Sequence, residues 1–258
     1  MVAIVIIAAV FANWIAPYSP NQPDYLHMLQ YPSRLHWLGT DELGRDELSR
    51  ILFGARTSLL VTVGATFIGT AIGVPVGLIS GYYGGVLDNL LIMRIVDAMQ
   101  AFPFLILALV LAAMLGPGLG NAMIAIGIGY VPIMVRIVRG QVLAERSKEY
   151  IVSSRVIGSK DRRILFIHLL PNVLSPLFIQ ISLAMASGIV AEASLSYLGL
   201  GTQPPAASWG NMLKTGQGYL ITDPLLSVML GLAIVFAVLA FNLLGDGLRD
   251  LLDPRINS

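Results

Sequence analysis

The sequence predicts an all-α membrane protein with six transmembrane helices, and three observations carry that reading. Hydrophobic residues make up 56% of the 258 and charged residues only 12%. Soluble domains hold roughly 25% charged residues, and the mean hydropathy of +0.77 leaves too little polar surface to solvate a globule. Uncharged stretches recur, most of them longer than the ~20 residues a helix needs to cross the hydrocarbon core. Finally, eight of the 16 basic residues crowd into one loop: Arg136, Arg139, Arg146, Lys148, Arg155, Lys160, Arg162 and Arg163.

Taken in order, residues 1–16 form an apolar segment that is short for a crossing. No basic flank precedes its apolar run, so it reads as a first span with a trimmed cytoplasmic start rather than a signal peptide. No charge occurs between Arg56 and Asp88, which sets a second span over 57–82. Glycines at 64, 69, 73, 77 and 81 line one face of it at about every fourth position. That spacing favours close helix packing over a substrate groove. None occurs between Asp97 and Arg136 either, and the Gly116–Asn121 turn divides that stretch into spans 91–115 and 120–140. Spans 173–198 and 225–245 complete the set. Arg94 and Asp97, three apart, are expected to pair. The basic loop belongs in the cytoplasm. Six crossings then put both termini inside and loops 17–56, 116–119 and 199–224 outside. No fixed-period repeat occurs, so 1–258 reads as one domain.

Several chemistries are excluded. Without cysteine there is no disulfide, thiolate metal site or cysteine nucleophile. The three lysines follow Ser147, Ser159 and Leu213, so no Walker A glycine-lysine pair exists and the chain does not hydrolyse ATP by that route. His27, His36 and His168 show no metal-ligand spacing, and no metal or other cofactor is expected. No catalytic constellation marks an enzyme. A net charge of +1 gives no field for nucleic acid.

The loop 141–172 is too polar for lipid and has helix-compatible composition. Gly158 interrupts it, and Pro171 can open the next helix. On these residues alone it is either a projecting helix that a partner can grasp or a solvated basic loop. Glu149-Tyr150-Ile151-Val152-Ser153-Ser154-Arg155-Val156-Ile157-Gly158, continuing to Leu170-Pro171-Asn172, resembles the EAA loop of bacterial ABC-importer permeases. The family pattern is Glu-Ala-Ala, three residues, Gly, then Leu-Pro. Here Val152 replaces the glutamate, while small Ser153 and Ser154 follow. Four further stretches resemble the second permease of peptide and nickel importers: His36–Asp46 with Ser49-Arg50 and Gly54-Ala55-Arg56; Arg94–Asp97 with Phe102-Pro103; Ser194–Gly201 with Gln203-Pro204-Pro205 and Ser208-Trp209-Gly210; and Asn242–Asp250 with Asp253-Pro254-Arg255.

The resemblance implies a type I ABC-importer fold whose cytoplasmic loop forms a coupling helix. Glu149, Tyr150, Ser153, Ser154, Arg155, Gly158, Ser159 and Pro171 would then meet an ATPase. It also implies a second permease, two ATPase subunits that bind ATP and magnesium, an external substrate-binding protein and a lipid setting in the inner membrane. The cargo would be peptides, a nickel complex or glutathione. Asp41, Arg45 and Asp46 lie in a run suited to a surface helix that either docks the binding protein or is structural. Glu192, an acid inside a span, either lines the pathway or anchors the outer loop. The rival reading is an ion-gradient-driven secondary transporter, which predicts inverted repeats and paired broken helices that the sequence does not display. A pathway-free membrane scaffold and a membrane enzyme are further alternatives.

Overall fold

The computed structural model describes residues 1–252, and among these the secondary structure is helical apart from one isolated bridge, Thr40–Asp46. Asp253-Pro254-Arg255 lies outside the described residues. Short α1 (Val2–Val10) and α2 (Ala12–Ile15) precede an irregular loop and the long α3 (Glu47–Tyr83). A single turn, α4 (Gly85–Leu87), and a π turn (Asp88–Ile92) lead into α5 (Met93–Gln100) and α6 (Phe104–Leu115). Helix α7 (Leu119–Glu145) is followed by α8 (Glu149–Val156) and α9 (Asp161–Arg163). A second π turn (Ile164–Leu169) joins α9 to α10 (Leu170–Tyr197), and α11 (Trp209–Gln217) and α12 (Pro224–Leu252) close the chain.

Four helices are long and apolar enough to cross a membrane: Glu47–Tyr83, Leu119–Glu145, Asp161–Tyr197 and Pro224–Leu252. They contain most or all of the expected spans 57–82, 120–140, 173–198 and 225–245, and each starts earlier than the expected span. Their outward faces expose large apolar side chains, among them Leu60, Val63 and Phe67 on α3 and Leu232, Val235 and Leu239 on α12. Such faces suit lipid, which makes no demand on side-chain polarity while the backbone is satisfied within the helix.

Two expected spans come out differently. The stretch 91–115 is not one rod: helix 88–100 and α6 meet at 94°. Pro103 lacks an N–H and pushes the residue before it out of helical geometry, so the helix stops at Gln100 and restarts at Phe104. Residues 1–16 give only nine helical residues in α1 and four in α2, well short of a crossing. Val5 and Ala9 pack instead with Ala55, Leu59 and Leu230. Among the described residues, four helices and one bent pair are thus long and apolar enough to cross, by length and composition.

The most extensive helix contact in the fold is between α3 and α7. A Cβ built on Gly69 would sit 2.6 Å from Tyr130 Cβ, on Gly77 2.7 Å from Val138 Cβ, and on Gly81 2.7 Å from Val142 Cβ, with Gly73 equally blocked by Met134. Both partner series advance by four residues, so one ridge of α7 lies in a side-chain-free groove of α3. Pro75 and Pro132 are tolerated inside these helices. The same logic seats α10: Gly188 faces Thr62, and Gly245 of α12 faces Ser182.

Ion pairs tie the bent segment to α7. Arg139 donates to Asp88 at 2.6 Å, and Arg136 donates to Asp97 at 2.6 Å. The expected Arg94–Asp97 pair gives way to the latter because α5 lies alongside α7, which brings the longer-range guanidinium to the carboxylate. Replacing Gly77 by leucine should lower stability by about 1–3 kcal/mol through overpacking. Gly140→Ala, at a helical position with nothing within 4 Å of an added Cβ, should hold or raise it. Melting of the detergent-solubilised chain checks both.

Candidate functional site

Loop 141–172 folds as a helix, a glycine turn and a second helix that runs on into α10. Helix α8 ends in two nested hydrogen bonds, Gly158 N–H to the Arg155 carbonyl at 3.0 Å and Ser159 N–H to the Ser154 carbonyl at 3.1 Å. This closure needs a left-handed residue just past the helix, and Gly158 supplies it with φ +87°. Pro171 follows directly on the π turn Ile164–Leu169, where the helix departs from regular α hydrogen bonding as it passes into α10.

The inner face of α8 is fastened to the bundle. Ile151 is fully buried. Tyr150 donates to Glu145 at 2.8 Å and accepts from Asn172 at 3.2 Å. Burial and the Glu145 carboxylate push the Tyr150 hydroxyl up to about 12, so it remains a donor at neutral pH. Ser154 lies 3.4 Å from His168 Nε2. The Arg155 guanidinium stands 5.5 Å above the Tyr82 ring, and the Tyr82 hydroxyl donates to Asp161 at 2.7 Å. Arg155 therefore braces α8 against the end of α3 rather than reaching away from the chain. Glu149 and Ser153 are exposed, and Ser159 is half-buried beside the turn.

Sequence reasoning overlooked the apolar outer face of this helix. Val152 and Val156 share a face one turn apart, and Ile157 follows; Val156 and Ile157 are 81% and 85% exposed. The signal was available as an i, i+4 valine pair ending in isoleucine on an otherwise polar loop, a face with no counterpart inside the chain.

A cavity of about 540 Å³ opens at the 94° bend. Its polar groups are Gln100, Gln180, Ser187 and Tyr130, set among Phe102 and Phe104. The Phe104 and Tyr130 rings stack at 4.7 Å, and the Tyr130 hydroxyl donates to the Ala184 carbonyl at 2.8 Å. Of these residues only Phe102, with Pro103, was singled out from sequence, because the bend that gathers the others was not foreseen.

Glu192, a candidate for the pathway or an anchor, has no exposed surface. Its carboxylate accepts from Ser58 at 2.6 Å and Ser196 at 2.7 Å, joining α10 to α3. It touches packed helix rather than the cavity. Asp41, Arg45 and Asp46 are also buried, and they lie in a turn, not on a surface helix. Arg45 donates to Asp41 at 2.7 Å, and the Arg50 guanidinium lies 3.2 Å from the same carboxylate. Asp46 caps α3, accepting from Ser49 N–H at 2.8 Å and Ser49 Oγ at 2.7 Å. A docking surface needs accessible groups, and these three shape the loop from within. His27 and His36, isolated in sequence, have ring centroids 6.1 Å apart. Glu192→Leu should destabilise the chain by about 1–3 kcal/mol for each serine hydroxyl left unpaired. Glu192→Gln should be milder and leave the KM for cargo unchanged, as read by melting and transport assays on the reconstituted system.

Residues 73–258 match the family described as binding-protein-dependent transport system inner membrane component. The chain is 47% identical over 256 residues to the glutathione transport system permease protein GsiD of Escherichia coli O6:K15:H31 (strain 536 / UPEC), covering 99% of this chain and 84% of that protein. GsiD of Shigella boydii serotype 4 (strain Sb227) matches to the same extent. Among solved structures, an inward-facing conformation of the MetNI methionine ABC transporter aligns with TM-score 0.64 at 22% identity, over 79% of this chain and 96% of that one. An amino acid ABC transporter with histidines aligns at 0.60 and 14% identity, over 79% and 94%. At such identities the likeness establishes the fold. With the helical architecture, the bent span and the projecting α8, these matches show that the chain belongs to the inner-membrane permease family of binding-protein-dependent transport systems and is a permease subunit of an ABC importer.

Proposed function

We propose that this permease forms one wall of a pathway for glutathione or a short peptide, beside a second homologous permease, with an external binding protein delivering the cargo. The observation that carries the cargo class is the 47% identity to a glutathione transport system permease over nearly the whole chain. The cavity at the bend is chemically compatible. Gln100 and Gln180 carry amides that both donate and accept, which matches the donors and acceptors of peptide bonds, while the Ser187 and Tyr130 hydroxyls are bonded to each other and to the Ala184 carbonyl. A nickel complex is favoured less by this set, which holds neither imidazole nor carboxylate.

Two separate ATPase subunits, holding the ATP and magnesium, would take α8 as their handle. An amphipathic element fixed on one face and bare on the other can pass a partner's movement to the bundle, provided its contacts differ between two states. In this reading Val152, Val156 and Ile157 enter a cleft on the ATPase, and Glu149 and Ser153 border it. Ser154, Arg155 and Tyr150 keep the helix seated, and Gly158, Ser159 and Pro171 set the turn and the return. The basic loop then lies in the cytoplasm and residues 17–56 outside, with the end of α12 inside. The ion-gradient-driven alternative has no support from the family.

The test is to co-express the chain with its partner subunits, reconstitute the complex and measure uptake of labelled glutathione and dipeptides with and without ATP. ATP-independent uptake by the chain alone would overturn the proposal. Ile157→Asp should prevent stable co-purification of the ATPase while leaving the melting temperature of the permease unchanged. Gln180→Leu, removing a hydrogen bond of about 1–1.5 kcal/mol, should raise KM roughly tenfold with little change in kcat.

A further inference from the structure

At the opposite end of α3 from loop 141–172, the irregular segment 17–46 folds back on itself and brings together side chains remote in sequence. Asp24, His27 and His36 each present one ligand-capable atom within 4.8 Å of the other two. They face a cavity of about 170 Å³ that Tyr18, Gln22 and Leu35 help to enclose. Asp24 and His27 are partly exposed, and His36 is 6% exposed, so the group has a fixed floor and an open mouth.

The backbone beneath these residues is closely tied. Asp24 N–H donates to the Leu43 carbonyl at 3.1 Å and His27 N–H to the Asp24 carbonyl at 3.0 Å, while the Thr40 hydroxyl donates to the His27 carbonyl. Gly44 lies so close under Asp24 that a Cβ would come within 2.5 Å of its carbonyl carbon. The His36 ring is oriented as well. Its Nδ1 lies 2.9 Å from Asp46 Oδ1. A carboxylate can only accept, so Nδ1 carries the proton and the Nε2 lone pair is left free. Asp46 is itself held by Ser49. A carboxylate that fixes the far nitrogen of a histidine is the arrangement that orients imidazole toward a metal. Support of the α3 cap explains Asp46 and His36 but gives no part to His27 or Asp24, whose Nδ1–Oδ2 contact of 2.7 Å adds nothing to the cap.

We propose that Asp24, His27 and His36 form a binding site for one divalent transition-metal ion of the Zn²⁺ class on the outer loop of this permease. Two imidazoles and one carboxylate make a borderline nitrogen and oxygen set, which Zn²⁺ accepts readily and which Mg²⁺ or Ca²⁺, preferring oxygen, does not. Three protein ligands with an open mouth leave the fourth tetrahedral position to water. Bonds of about 2.0–2.1 Å place neighbouring tetrahedral ligands roughly 3.3 Å apart. The His27–Asp24 contact would therefore open slightly and the wider separations close by side-chain rotation, chiefly of the two partly exposed residues. The ion would clip the segment near Asp24 to the turn at His36, beside the cap of α3.

The experiment is zinc uptake by the purified full-length chain, stripped with chelator and separated from free metal, together with Co²⁺ titration followed by visible absorption. The expected result is one Zn²⁺ per chain, tetrahedral Co²⁺ bands and a rise in melting temperature on adding Zn²⁺. Both His27→Gln and Asp24→Asn should weaken affinity by at least about 100-fold, since even residues behind the ligands are worth 10–100-fold, and should abolish the thermal shift while leaving the metal-free melting temperature unchanged. If His27→Gln does not fold, Asp24→Asn reads the same loss. No stoichiometric uptake by the parent chain, or uptake unchanged in the variants, overturns the proposal.

Discussion

The fold depends on the contact between α3 and α7. Where Gly69, Gly73, Gly77 and Gly81 meet Tyr130, Met134, Val138 and Val142, no Cβ separates the helices, and backbone meets side chain directly. In a bilayer no hydrophobic force drives helices together, so fit of this kind and polar ties between helices must hold the bundle. The α7 ridge that fills the groove also carries the guanidiniums of Arg136 and Arg139 to Asp97 and Asp88, which keeps the bent segment alongside α7. Loosening the groove would therefore disturb the cavity wall as well as one helix pair.

Polar residues within the bundle are spent on joining elements. Glu192 binds α10 to α3 through Ser58, Tyr130 reaches the Ala184 carbonyl, and Trp209 of α11 donates to the Ile51 carbonyl at 3.0 Å. A buried polar group without a partner is costly, and each of these has one. In the segment before α3, Asp41 follows the same rule, shared between Arg45 and Arg50, whereas Glu47 Oε1 is buried without a hydrogen-bond partner. Charge in the sequence was consequently a poor guide to surface: Asp41, Arg45 and Asp46 look like an exposed run yet form the inside of a turn.

The parts of the fold legible in sequence were those set by local pattern. Uncharged runs located four long helices, because lipid tolerates little else over that length. The four-residue glycine period located the α3 face that α7 fills, and Gly158 located the end of α8, since only a residue comfortable at positive φ closes that turn. Features decided by distant partners were not legible. The bend at Pro103 requires knowing that α6 finds a new direction to pack in, and the Asp97 partner depends on that bend. Residues 1–16 carried the right composition but too few helical residues. Exposure of Val152 and Val156 emerges only once Ile151 is known to point inward. His27 and His36 meet through a loop whose closure has no periodicity to read.

The length of α3 has a mechanical consequence. Its 37 residues make a rod of about 55 Å, with Tyr82 against Arg155 at one end and the Asp46 cap at the other. A tilt of about 10° about the centre of the glycine groove moves the Tyr82 end by about 2 Å and the Asp46 end by about 7 Å, by the same rise per residue. Displacements of a side-chain width at the α8 junction are thus amplified along a lever whose fulcrum is the glycine groove. The segment 17–46 rides on the long arm, so small displacements at the Tyr82 end become larger ones at the Asp46 end.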